Sequence, residues 1–215
     1  MRWTVLIPLK ALPAAKSRLS ATLDPAQHVK VVEAIRADTL SAARSATNVA
    51  RVVVVTDRPG VFDADAVFVQ RVEGLNGGLA EAAADATRRW PEDGIAALVG
   101  DLPALVPGDL DHALDAASRE RRSFVPDAAG TGTTMLAATP GTALEPQFGA
   151  GSAERHRGTC TELAAGPTLR ADVDTGEDLE AAHILGFGPR TRAVVDADDQ
   201  NADISRSPGP GMMSP

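Results

Sequence analysis

Residues 51–56 read RVVVVT, and this stretch decides the fold class. Four consecutive valines without polar alternation are typical of a strand buried on both faces of a parallel sheet. Similar apolar runs, TVLIP and IAALVG, occupy residues 4–8 and 95–100. Between the first two runs, Asp24 and Pro25 suit the N-cap and the first position of a helix. The predicted order is therefore strand, helix, strand.

The rest of the chain repeats this alternation. Further strands are predicted at residues 66–70, 123–127, 133–139 and 169–175. Further helices are predicted at residues 77–90, 107–120, 151–158 and 176–185. The alternation predicts a single α/β domain with an open, mixed but mostly parallel sheet. We assign residues 1–193 to this domain and interpret the polar, Pro- and Gly-rich residues 194–215 as a flexible tail.

Composition narrows the function classes. The chain of 215 residues has a formal net charge of −8, with two Trp, five Phe and no Tyr. It therefore lacks the basic stripe and the stacking surfaces of a nucleic-acid-binding protein. No run of about 18 apolar residues is present, so no membrane span is predicted. The single cysteine, Cys160, cannot form an internal disulfide, which favours a reducing, cytoplasmic setting.

A cluster of cations interrupts this acidic background. Lys10, Lys16 and Arg18 lie within nine residues, just after the first predicted strand. Loop cations are usually only solvated, but several together can also attract an anion at short range. These residues alone leave both interpretations open.

Carboxylates follow two other predicted strands. Ligands of an open α/β sheet gather beyond the carboxyl ends of its strands, and Asp101 follows the strand at 95–100. Asp172 and Asp174 lie in the predicted strand at 169–175, and we expect only one of them to enter the site. We therefore choose Asp174, the nearer to the carboxyl end, as partner of Asp101 in a Mg²⁺ site. Capping or turn roles remain the alternatives for both residues.

Two glycine-rich stretches complete the candidate site. In GLNGG, residues 74–78, Asn76 offers a donor and an acceptor to a purine edge, and Gly77 permits close backbone approach. Gly149 and Ser152 precede a short helix whose free N–H groups would suit an anion, and Thr133 adds a hydroxyl. Plain turns are the alternative for both stretches. His156, in the same short helix, is predicted to lie on the surface.

Six motifs together resemble a known family. They are PLKALPAAKSRLS, GLNGGLAEA, GDLPAL, GTGTTML, FGAGSAERH and DVDTGEDL, in this order. The set is similar to the 2-phospho-L-lactate and phosphoenolpyruvate guanylyltransferases of coenzyme F420 biosynthesis. The resemblance covers roughly residues 3–190 and implies a nucleotide-diphospho-sugar-transferase-like (GT-A type) fold that uses GTP and Mg²⁺. One departure from the wider superfamily is the cationic stretch, which replaces its Gly-rich loop after the first strand.

The resemblance also implies roles for individual residues. Lys16, Asp101 and Asp174 would be catalytic, with the two aspartates as metal ligands. Five residues would contact GTP, namely Lys10, Lys16, Arg18, Asn76 and Gly77. Thr133, Gly149 and Ser152 would bind the three-carbon phospho-acid, phosphoenolpyruvate or 2-phospho-L-lactate. The alternatives are another nucleotidyltransferase, of the molybdopterin or sugar-phosphate type, and a non-catalytic nucleotide-binding regulator.

Overall fold

The computed structural model describes residues 1–9 and 25–206 of the chain, with side chains described through residue 197. Within these residues, seven strands form one sheet: β1 (Trp3–Pro8), β2 (Val49–Thr56), β3 (Ala66–Val69), β4 (Gly94–Leu98), β5 (Arg122–Pro126), β6 (Thr133–Ala138) and β7 (Thr161–Glu162). The described part of the chain also forms seven helices: α1 (Pro25–Ser45), α2 (Leu75–Arg89), α3 (Pro107–Ala117), α4 (Ser152–Arg157), α5 (Pro167–Arg170), α6 (Gly176–Leu185) and α7 (Pro189–Arg206). No described helix is long and apolar enough to cross a membrane.

The sheet has a parallel and an antiparallel half. Its strand order is β3-β2-β1-β4-β6-β5-β7. The first four strands run parallel, whereas β6 is antiparallel to both β4 and β5. The carboxyl ends of β1, β4 and β5 therefore lie at the same edge of the sheet as the beginning of β6. The prediction of an α/β domain with a mixed, mostly parallel sheet is confirmed.

Side chains from both faces of the sheet build the core. Val5 and Ile7 of β1 face one side, where they pack in one cluster with residues of α1 and α3. Leu6 faces the other side and packs with residues of α2. Burial on both faces explains why β1, β2 and β4 carry continuous apolar runs.

The segment at 169–175 is not the predicted strand. Residues Pro167–Arg170 form α5, with Pro167 at its first helical position, and the following residues are irregular. The N–H of Val173 donates to the carbonyl of Asp101 at 3.1 Å instead of joining a strand ladder. Asp172 and Asp174 are two residues apart and would share one face even of a strand, so strand geometry gave no ground for expecting only one of them at the site.

Two other boundaries differ from the sequence analysis. Helix α2 begins at Leu75, so Asn76 and Gly77 lie in its first turn and not in a preceding loop. Helix α7 extends to Arg206, so the boundary predicted at residue 193 falls inside it. Val194 and Val195 of α7 pack against a buried cluster that contains residues of α1. The remaining predicted tail, 207–215, lies outside the described residues.

Candidate active site

A cavity of about 600 Å³ opens at the edge where β4 and β5 end and β6 begins. Its lining comes from the loop after β4, the turn between β5 and β6, the loop before α4 and the segment before α6. The cavity lies beyond the carboxyl ends of strands, where ligands of open α/β sheets bind. Asp101, Asp174, Thr133, Gly149 and Ser152, all predicted site residues, line this one cavity.

One side of the cavity, which we call the acidic wall, consists of Asp101, Asp172 and Asp174. The bond from the Val173 N–H to the Asp101 carbonyl holds the two segments side by side. Asp172 lines the cavity together with Asp174, so the prediction that only one of them could reach it is wrong. Helix α6 is capped by a reciprocal pair between Thr175 and Asp178, which leaves Asp174 outside the capping role.

A fourth carboxylate, Asp127, also lines the cavity. It accepts hydrogen bonds from the N–H groups of Thr131 and Gly132 at 2.9 and 2.7 Å, which closes the turn between β5 and β6. Of the described residues that line the cavity, none is Lys or Arg. The described lining is therefore strongly negative, and it suits an anionic ligand only when cations are supplied.

The acidic wall is where a divalent cation could bind. Carboxylate oxygens are the ligands preferred by hard cations such as Mg²⁺. Within residues 1–9 and 25–206, no three His, Cys, Asp or Glu side chains already surround a common point. This still fits Mg²⁺, which uses one or two carboxylates and completes its shell with water and phosphate oxygens.

A second part of the lining, which we call the hydroxyl wall, consists of Thr133 and Ser152. Both side chains are buried, and the Ser152 hydroxyl donates to Thr133 Oγ1 at 3.0 Å. The expectation of free N–H groups at the start of α4 is wrong at Ser152, whose N–H donates to the Gly149 carbonyl. Hydroxyls, and not the amide of Ser152, are what this wall offers to a ligand.

His156 supports the hydroxyl wall from behind. It is fully buried, which contradicts the predicted surface position, and its ring packs between Phe124 and Phe148. Its Nδ1 lies 2.9 Å from Thr133 Oγ1, and its Nε2 accepts the N–H of Gln147 at 3.1 Å. Burial lowers the pKa of His156 to about 4, and the positive charges of Arg155 and Arg122 act in the same direction.

Asn76 joins helix α2 to the loop before α4. Its Nδ2 donates to the Phe148 carbonyl at 3.1 Å, and its Oδ1 accepts the Phe148 N–H at 2.8 Å. The side-chain amide of Asn76, predicted to meet a purine edge, is thus bonded to the backbone N–H and carbonyl of Phe148. A Cβ at position 77 would lie 2.7 Å from Val72 Cγ1, so a larger residue there would require the Val72 side chain to move.

The predicted cations Lys10, Lys16 and Arg18 lie outside the described residues. Arg36, which the sequence analysis missed, lines a smaller cavity of about 60 Å³ together with Asp101. Burial lowers the pKa of Arg36, while the negative charges of Asp101 and Glu33 oppose that shift. An arginine on the buried side of a helix was the available signal, since such a charge is costly without a partner.

The whole domain matches a family model described as guanylyl transferase CofC like, over residues 3–197. The chain belongs to this family. The resemblance predicted from the six motifs is therefore confirmed, and with it the nucleotidyltransferase class of enzyme.

Curated relatives agree with the family model. A phosphoenolpyruvate guanylyltransferase of Streptomyces scabiei is 46% identical over 208 residues, covering 91% of this chain and 96% of the relative. The protein of the same name from Salinispora arenicola is 44% identical over 199 residues, covering 88% of this chain and 91% of the relative.

Solved structures share the fold at lower identity. A Desulfovibrio desulfuricans G20 structure assigned to the nucleotide-diphospho-sugar transferases aligns with a TM-score of 0.67 and 16% identity, covering 93% of this chain and 96% of its own. A manganese complex of Rv0371C from Mycobacterium tuberculosis aligns with a TM-score of 0.54 and 22% identity, covering 85% and 98%. These similarities confirm the predicted nucleotide-diphospho-sugar-transferase-like fold.

Proposed function

We propose that this enzyme transfers the guanylyl group of GTP to phosphoenolpyruvate and releases pyrophosphate, as a step of coenzyme F420 biosynthesis. The choice of phosphoenolpyruvate rests on the names of relatives that are up to 46% identical over 91% of the chain. The observation that carries the reaction is one cavity whose lining contains both carboxylates and buried hydroxyls. The carboxylates suit cation-bound phosphates, and the hydroxyls suit an oxyanion.

The acceptor needs little chemical activation. Its phosphate is largely dianionic at neutral pH because its second pKa is about 6. One of its oxygens forms a bond to the α-phosphorus of GTP, while the bond to the oxygen bridging to the β-phosphorus breaks. The electron pair of that bond leaves with pyrophosphate, so no proton has to be removed. A buried histidine with a pKa of about 4 is consistent with this reaction, because no general base is required.

The acidic wall would hold the cofactor. Asp101, with Asp172 or Asp174, provides carboxylates suited to Mg²⁺, which would supply neutralisation of the phosphate charges when bound. Lys16 and Arg18, with Lys10, would bind the triphosphate and the departing pyrophosphate. Cations are needed here because two polyanions must be brought together beside several aspartates.

The remaining predicted residues would position the two substrates. Thr133, Ser152 and Gly149 face the cavity and would bind the phospho-acid. Asn76 and Gly77 would contact the guanine side of GTP through the backbone of the first turn of α2, since the Asn76 side chain is engaged with Phe148. Alignment of two bound reactants is itself a large part of catalysis in such transfers.

The decisive experiment is an assay of pyrophosphate release. The purified chain is incubated with Mg²⁺ and GTP, CTP or ATP, and with phosphoenolpyruvate, 2-phospho-L-lactate or 3-phosphoglycerate. We expect release with GTP and phosphoenolpyruvate, and a guanylylated acid by mass spectrometry. Release only with another nucleotide, or with none of the acids, would contradict the proposal.

A further inference from the structure

A buried chain of hydrogen bonds connects the backbone to the hydroxyl wall. The N–H of Gln147 donates to Nε2 of His156 at 3.1 Å. Nδ1 of the same ring lies 2.9 Å from Thr133 Oγ1, and the Ser152 hydroxyl donates to that oxygen at 3.0 Å. His156 and Ser152 are 0% and 1% exposed, and Thr133 is 6% exposed. Three side chains are therefore linked where water has little access.

The first bond of the chain fixes the tautomer of His156. A main-chain N–H can only donate, so Nε2 must carry a lone pair. A neutral imidazole has one N–H, which in this case must be on Nδ1. Burial keeps the ring neutral, since it lowers the pKa of His156 to about 4. Nδ1 is therefore a donor, and Thr133 Oγ1 is its acceptor.

Counting hydrogens then shows what the hydroxyl wall presents to the cavity. Thr133 Oγ1 accepts from Nδ1 and from Ser152, which occupies both of its lone pairs. Its own hydrogen must point elsewhere, and the cavity lined by Thr133 and Ser152 is the direction left open. If the bond between the two hydroxyls ran the other way, the spare hydrogen would belong to Ser152, and the count would be unchanged. With the other tautomer, Thr133 would donate to Nδ1 and no spare hydrogen would remain.

We infer that His156 is a positioning residue which forces the Thr133–Ser152 pair to offer a hydrogen-bond donor to an oxyanion of the acceptor. The inference rests on the proposed function for the identity of that oxyanion, a carboxylate or phosphate oxygen of the phospho-acid. A hydroxyl pair without this constraint could turn its lone pairs toward the anion and repel it. His156 would thus favour an anionic acceptor without touching it.

The tautomer can be measured without any activity. In the ¹⁵N-labelled protein, a long-range ¹H–¹⁵N spectrum of the histidine rings between pH 6 and pH 8 distinguishes protonated from unprotonated ring nitrogens. His156 is one of four histidines and is assigned by its absence from the spectrum of His156→Phe. We expect an Nδ1–H ring that does not titrate over this range. An Nε2–H or charged ring would overturn the inference.

Kinetics test whether His156 acts through Thr133. His156→Phe keeps an aromatic ring between Phe124 and Phe148 but removes both hydrogen bonds. Thr133→Val removes the hydroxyl with little change of shape. We expect each variant to raise the KM for phosphoenolpyruvate by about tenfold to a hundredfold, with the KM for GTP within about twofold of wild type. The double variant should resemble Thr133→Val alone, because the two residues act as one unit.

A purely structural role for His156 would give a different pattern. The inference would be overturned if the KM increases of the two single variants multiplied in the double variant. Equal increases in the KM values for phosphoenolpyruvate and GTP would also overturn it. His156→Asn places an amide donor near the position of Nδ1 and should restore part of the affinity lost in His156→Phe. If the Phe variant does not fold, the signal missing from the spectrum of His156→Asn assigns His156 in the wild type, and the tautomer still decides the question.

The two proposals fail in distinguishable ways. A wild-type protein that transfers no guanylyl group, yet has an Nδ1–H ring at His156, contradicts only the function. An active wild type with the other tautomer, or with no effect of His156→Phe on the KM for phosphoenolpyruvate, contradicts only the role of His156.

Discussion

The acidic wall and the hydroxyl wall face the same cavity but are built differently. Like charges meet in the acidic wall, where Asp174 is exposed and Asp101 and Asp172 are half-buried. In the hydroxyl wall, Thr133, Ser152 and His156 are buried and donate or accept within the protein. The hydroxyl wall is thus held by hydrogen bonds within the protein, whereas the acidic wall concentrates negative charge that a bound cation would neutralise.

This difference separates the effects of mutations. Neighbouring carboxylates repel one another, so neutralising one should cost activity but little stability. Removing one member of a buried hydrogen-bonded set leaves a partner unsatisfied, so it should cost stability as well. The predictions below measure activity, stability or both.

The largest effect is expected for Asp101→Asn. The variant keeps the shape of the side chain but removes a charge that would hold a cation against the phosphates. We expect kcat/KM for pyrophosphate release to fall about 10³-fold, with a smaller effect on the Tm that reflects the lost counter-charge of Arg36. Glu177→Gln, which removes an equal charge from the exposed first turn of α6, is the matched control and should retain activity. Near-normal turnover of Asp101→Asn would remove the acidic wall from the mechanism.

Two further variants, Asp172→Asn and Asp174→Asn, test which carboxylates of the acidic wall bind the cation. Both side chains line the cavity, so each variant should lower activity by about 10²-fold and raise the Mg²⁺ concentration for half-maximal rate at least about tenfold. Mg²⁺ titrations at saturating GTP measure this. If only one variant responds, the other carboxylate has no part in cation binding.

The parallel half of the sheet could be predicted from the sequence because its signals are local. Strands β1, β2 and β4 are buried on both faces, and their continuous apolar runs indicate this burial. Asp101 follows β4 directly, so its position at the carboxyl edge required only the strand and its direction. The acidic wall was partly predictable for this reason.

The segment around Asp172 shows where local signals mislead. Leu169 and Val173 are both buried, with apolar and polar residues alternating between them, which is typical of a strand. They pack into two different clusters, however, and the N–H of Val173 bonds to the loop after β4. Alternation in this segment reflects two separate packing sites and not a strand. Asp172 and Asp174 are two residues apart and share one face of any alternating pattern, so their common cavity could have been predicted from the sequence.

The hydroxyl wall depends on contacts that leave no local pattern. His156 stands between Arg155 and Arg157 in a helix of six residues, and such neighbours predict the surface. Its burial comes from Phe124, Phe148 and Thr133, which approach from β5, the loop before α4 and β6. Asn76 is similar, because its only signal was a glycine-rich stretch that also suits a turn.

Asn76→Ala tests whether the loop before α4 belongs to the hydroxyl wall. The Phe148 N–H and carbonyl would both lose a partner, so the free energy of unfolding should fall by about 2 kcal/mol in urea titrations. The KM for the phospho-acid should rise, since the same loop carries Gly149 and leads to Ser152. Asn48→Ala is the matched control: Asn48 also makes two side-chain bonds, to Asp111 and Asp115. The Asn48→Ala variant should lose stability without a change in KM. An equal change in the KM of both variants would contradict a role for the loop before α4.

His156 should also make the stability of the fold depend on pH. Its pKa is about 4 in the folded protein and near 6.5 in the unfolded chain, with desolvation as the main cause and Arg155 and Arg122 adding to it. Between these values only the unfolded chain binds the proton, so stability falls as the pH is lowered from 6.5 toward 4. The slope should approach about 1.4 kcal/mol per pH unit, and His156→Phe should show a shallower slope because other groups titrate alike in both proteins. Urea titrations from pH 7 to pH 4.5 measure the two slopes. Equal slopes for the wild type and His156→Phe would mean that His156 accepts a proton as easily in the folded protein as in water, which would contradict its burial behind the hydroxyl wall.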